Sequence, residues 1–136
     1  MPPDANDPTK PEEWLRRARS SMARARAGRV HPDVLFEDLC FDAQQAAEKA
    51  LKAVLVRRKT PFPKTHDISE LLTLLHQAGT DVPEDIRRAA MLTPYAVEAR
   101  YPGLGEEVTA QEHAQAVTTA ERVLAWAESL LSNPPS

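Results

Sequence analysis

The chain has 136 residues, 42% of them hydrophobic and 5% aromatic, with a formal net charge of −3, which suits one domain with a real core built from small and branched aliphatic side chains rather than rings. A lone cysteine, Cys40, excludes an internal disulfide and a cysteine-based metal site. No apolar run approaches the roughly 20 residues that span a bilayer and the N-terminus does not read as a signal peptide, so the expectation is a soluble, cytoplasmic protein.

Residues 1–8 are rich in proline and polar groups and lack periodicity, so they read as a disordered tail, as do 133–136. A helical unit is expected over 9–132. In TKPEEW, Thr9 and Glu12 stand at capping-box spacing. Trp14, Leu15, Ala18, Met22 and Ala25 then recur at helical spacing, with arginines on the other face and a stop near Gly28. Pro32 suits the first turn of a second helix, whose apolar positions run from Val34 and Leu35 to Leu55 at a period near 3.6, with Cys40 and Phe41 in the core. Its alanines let a neighbouring helix come close, and Pro61 and Pro63 stop it after about Arg58. Asp67 and Glu70 open a short third helix carrying Ile68, Leu71, Leu72, Leu74 and Leu75, with Gly79 as its stop. Pro83, Glu84 and Asp85 open a fourth helix, which Pro94 breaks or kinks. Thr109 and Glu112 cap the last one, which runs to about Ser132. No segment alternates as a strand does, so the expected fold is all-α: an up-and-down bundle of four main helices plus one short helix.

Charge is unevenly placed. Lys10, Arg16, Arg17, Arg19, Arg24, Arg26 and Arg29 face only Glu12 and Glu13 in the first helical segment, whereas five glutamates face Arg122 alone between Glu106 and Glu128. An arginine-rich stretch is usually a solvated face; the functional alternatives are a groove for RNA phosphate or a docking face for an acidic protein. His66, opening the third helix, reads either as a local hydrogen-bonding partner of the connector or as a general acid or base and phosphate ligand. Arg100 and Tyr101, before Pro102, lock a loop or grip a phosphate while offering a ring for stacking. Arg58 and Lys64 belong to a basic cluster at the end of the second helix, where positive charge also complements the helix dipole. The candidate ligand-binding residues are therefore His66, Arg100, Tyr101, Arg58 and Lys64. The four histidines, His31, His66, His76 and His113, have no metal-ligand spacing, and neither a glycine-rich phosphate loop nor a nucleophile elbow occurs. No metal or cofactor is expected.

Three pieces in order, FDAQQAAEKALKAVL, PFPKTHDISELL and TPYAVEARYP, resemble the HEPN domain family over roughly residues 10 to 132. The resemblance implies an all-helical homodimer that binds nucleotide or RNA, or a separately encoded minimal nucleotidyltransferase, in a toxin–antitoxin-like system. Many such proteins are ribonucleases using an arginine followed, after four to six residues, by a histidine. Here Arg58 and Arg57 precede His66 by seven and eight intervening residues, with Pro61 and Pro63 between. Arg26 and His31 have the spacing but flank a helix break at Gly28. The expectation is thus a binding module that is not an enzyme by itself; the alternative is a metal-independent endoribonuclease using His66 with Arg100 or Arg58.

Overall fold

The computed structural model describes residues 7–97 and 107–132. Those residues form helices α1 (Pro11–Ala27), α2 (Phe36–Arg57), α3 (Ile68–Gln77), α4 (Glu84–Arg87), α5 (Pro94–Val97) and α6 (Ala110–Ser132), with a 3₁₀ stretch, Arg88–Leu92, between α4 and α5. Among the described residues there is no strand, and none of the helices is long and apolar enough to cross a membrane. The fold is an all-α bundle whose fourth helical region is divided: the backbone tightens to 3₁₀ after Arg87, and Pro94 starts a separate turn.

Helix α2 is the central element, packed on α1 and α6 along its length and on α3 and α5 elsewhere. Its alanines explain how it can be covered on so many sides. Ala43, Ala46, Ala47, Ala50 and Ala53 are all fully buried, and side chains this small let neighbouring helices approach from several directions at little entropic cost. Leu51, Val54 and Leu55 of α2 are buried in one continuous core with Met22, Leu71 and Leu75. Each fully buried leucine removes enough apolar surface to contribute about 1.5–3 kcal/mol.

Ion pairs give the helix directions. Arg24 reaches Asp42 at 3.1 Å and Lys49 Nζ reaches Ser21 Oγ at 3.3 Å, so α1 and α2 run antiparallel. Arg19 bonds Glu128 at 2.7 Å and Arg26 bonds Glu121 at 3.1 Å; descending numbers on α6 against ascending numbers on α1 make that pair antiparallel as well. The basic and acidic halves of the sequence therefore neutralise each other inside one bundle. Arg16 and Arg17 close on Glu13, at 2.9 and 2.7 Å.

Several local expectations need correction. Thr9 does not cap α1: Pro11 occupies the first turn and holds Lys10 extended (φ −105°, ψ 124°), while the Thr9 hydroxyl donates to Asp7. The second helix starts at Phe36 rather than Pro32, because residues 31–34 close a turn in which Val34 N–H bonds the His31 carbonyl and the Arg29 guanidinium bonds the Pro32 carbonyl. Phe41 is 42% exposed rather than in the core; it lies about 100° around the helix from buried Cys40, on the arc shared with exposed Asp38. Helix α2 is stopped ahead of the prolines, by a Schellman turn in which Thr60 N–H bonds Leu55 O and Lys59 N–H bonds Val56 O. Lys59 takes the left-handed position (φ 55°) that glycine usually fills; Gly79 (φ 88°) does the same after α3. The box at α6 forms: Glu112 N–H donates to Thr109 Oγ1 and Thr109 N–H to Glu112 Oε1. At α3 only half forms, with Asp67 accepting from Ser69 N–H while its own N–H bonds Thr65 Oγ1 instead of Glu70.

Candidate functional site

The interior of α2 holds a line of polar side chains. Gln44, Glu48 and Lys52 are spaced i, i+4, i+8, so they share one face, and they are 0%, 3% and 6% exposed. Burying a carboxylate and an ammonium is costly unless both are paired. Lys52 Nζ lies 3.0 Å from Glu48 Oε2, and Glu48 Oε1 accepts from Gln44 Nε2 at 3.1 Å. Lys52 also lies 5.5 Å from the ring centre of Trp14 and 5.7 Å from that of Phe62. Those two rings meet edge to face at 6.0 Å, so the ammonium is sheltered by two electron-rich surfaces.

Phe62 brings the connector that follows α2 onto this face. After the Schellman turn, Pro61-Phe62-Pro63 leads the chain across to α3, whose first residue is fixed by Ile68 N–H donating to Thr93 Oγ1. His66 stands just before the Asp67 cap. Its ring Nδ1 is 2.9 Å from Glu48 Oε1, and its carbonyl accepts from Gln44 Nε2 at 3.2 Å. Two side chains one turn apart on α2 thus hold both the ring and the backbone of residue 66.

Burial by itself raises the Glu48 carboxyl, but hydrogen bonds from Lys52, Gln44 and His66, with the Lys52 charge, outweigh it and hold the group below its ordinary value. Glu48 is therefore ionised at neutral pH and can only accept, so the shared hydrogen belongs to His66 Nδ1. That leaves Nε2, which bonds no described residue, on a side chain that is 62% exposed. A buried carboxylate behind an outward imidazole is the arrangement by which a histidine is oriented to accept, donate or transfer a proton at its outer nitrogen.

Of the residues the sequence pointed to, His66 is at this centre. Arg58 and Lys64 lie on the same connector, exposed; Arg58 is the C-cap of α2, its N–H bonded to Val54 O. Neither pairs with a carboxylate among the described residues. Arg100 and Tyr101 lie outside the described residues. Arg26 and His31 are not brought into cooperation, since Arg26 is committed to Glu121 and His31 Nδ1 accepts from Asp33 N–H. His113 bonds the Ala25 carbonyl at 2.8 Å, satisfying an orphan acceptor in the last turn of α1. Sequence reasoning missed Glu48, Lys52 and Gln44. The usable sign was there: an amide, an acid and a base in one i, i+4, i+8 line within a helix otherwise read as core. Among the described residues no group of three or more histidine, cysteine, aspartate or glutamate side chains is arranged to hold a metal.

A family model described as HEPN domain matches residues 11–130. Among solved structures, the crystal structure of an archaeal HEPN homologue is similar, with 28% identity and a TM-score of 0.69 over 89% of this chain and 97% of its own. No curated protein matches the sequence.

Proposed function

The chain belongs to the HEPN domain family, and from that premise we propose that it is a cytoplasmic, dimeric binding module whose ligand is a nucleotide or RNA held by phosphate at the connector between α2 and α3. The observation that carries this reading is His66: outward-facing, fixed through Nδ1 to buried Glu48, and on one connector with two exposed cations, Arg58 and Lys64. Guanidinium, ammonium and, once the ring is protonated, the imidazolium Nε2–H are the donors that phosphate oxygens take. Arg100 and Tyr101 are assigned to the same ligand, one for phosphate and one for stacking. By family likeness the module works beside a separately encoded minimal nucleotidyltransferase in a toxin–antitoxin-like system.

Titration calorimetry with mononucleotides and with a short single-stranded RNA tests the reading, alongside light scattering for the dimer. Binding is expected in the wild type, with a roughly tenfold or greater loss in Arg58→Glu/Lys64→Glu, since each reversal replaces attraction to phosphate by repulsion. A monomer that binds neither probe overturns it.

One observation favours a second reading, metal-independent RNA cleavage: the Glu48–His66 pair has the orientation that acid–base catalysis uses. In that case His66 exchanges the proton of a ribose 2′-hydroxyl while Arg58 or Arg100 stabilises developing phosphate charge. Cleavage that survives in His66→Ala eliminates this assignment.

A further inference from the structure

We infer that Glu48 is a positioning residue: its buried carboxylate fixes the Nδ1–H tautomer of His66 and thereby presents Nε2 to the phosphate-bearing ligand. The inference rests on the binding role proposed for His66 and names the group that makes His66 competent for it.

Three observations carry it. First, Glu48 Oε1 receives both the His66 ring at 2.9 Å and the Gln44 amide at 3.1 Å, and that same amide holds the His66 carbonyl at 3.2 Å. Ring orientation and backbone position are thus fixed from one place on α2. Second, the buried acid is costly to keep. Replacing a buried ion pair such as Glu48 and Lys52 by apolar side chains is often neutral or stabilising, because desolvation of two charges commonly cancels their attraction. Packing alone therefore gives no reason for a carboxylate here. Third, Glu48 does not depend on His66 to be satisfied. Lys52 at 3.0 Å and Gln44 at 3.1 Å already occupy its two oxygens, so the histidine, 62% exposed, is the dependent partner. With Nδ1–H committed inward, the neutral ring offers Nε2 as an acceptor for a ribose hydroxyl and the protonated ring an Nε2–H donor for a phosphate oxygen. In both states the outer nitrogen faces the ligand.

Nitrogen-15 NMR of the His66 ring on the full chain reads the tautomer without any ligand. The expected result is Nδ1–H in the wild type and a shift towards Nε2–H in Glu48→Met, which removes the acceptor that a glutamine amide oxygen would retain. Since Glu48→Met leaves Lys52 buried without its counter-charge, Glu48→Met/Lys52→Met supplies the same measurement where the single variant folds poorly. An unchanged tautomer in the folded variant, or Nε2–H in the wild type, overturns the inference. Affinity for a short single-stranded RNA gives the functional arm. Glu48→Met, His66→Ala and the two combined are expected to lose similar amounts, roughly ten- to hundredfold as for a lost bond to a charged group, because removing the orienter and removing the ring disable one interaction. Losses that multiply in the combined variant mean that Glu48 acts independently of His66 and contradict the inference. A wild type that binds no RNA sinks the binding role, while the tautomer measurement still decides whether Glu48 positions the ring.

Discussion

Glu48 accounts for most of what is unusual at the scale of single residues. Its carboxyl is held below the ordinary value of 4.5, so the folded state binds its proton more weakly than the unfolded chain does. The stability this contributes is complete above about pH 4.5 and is lost as pH falls through the lower folded value. Urea denaturation from about pH 7 to about pH 3 should therefore show wild-type stability falling more steeply in the acid range than that of Glu48→Gln; parallel curves would rule out a strongly paired carboxylate. Lys59 is the second unusual residue. A side chain in the left-handed region costs roughly 1–2 kcal/mol, part of which glycine's greater freedom in the unfolded chain offsets. Lys59→Gly is accordingly expected to stabilise by about 0.5–1 kcal/mol in denaturant titration, and a loss of stability would show that the lysine side chain makes a contact outweighing its backbone strain.

Between elements, the dominant pattern is the charge exchange between α1 and α6. Arg19 and Glu128 are 55% and 38% exposed, so their bond contributes at most about 1 kcal/mol. Arg19→Glu should cost about that much at low ionic strength, and adding Glu128→Arg should recover most of it; no recovery would mean that the pair is incidental to how the helices dock. The helices themselves were legible from periodicity, and Thr109 with Glu112 announced a real cap. The start of α1 was legible to one residue but its cap was not, since Thr9 turns back to Asp7, and the start of α2 was not legible, since Arg29 takes the carbonyl of Pro32 in a bond that no local pattern encodes. Part of the basic stretch looked like a free face because the partners of Arg19 and Arg26 lie 109 and 95 residues further on.

At the scale of the whole molecule, α2 serves as both core and foundation of the site. Its alanines let α1, α3 and α6 close around it, Gln44, Glu48 and Lys52 are buried on the same helix, and the connector after α2 folds back so that His66 meets that buried line from outside. His66 was visible in the sequence as a histidine opening a helix. Its partner was not, since Glu48 precedes it by 18 residues and the pairing depends on a connector that returns across its own helix. The central claim is that this oriented histidine binds phosphate-bearing ligand. The most direct test compares affinity for a short single-stranded RNA at low salt between the wild type and His66→Ala, with circular dichroism confirming that both are folded. Because the ring is exposed, the substitution should leave helicity unchanged and weaken binding about tenfold or more; equal affinity in the two proteins would contradict the assignment of the site.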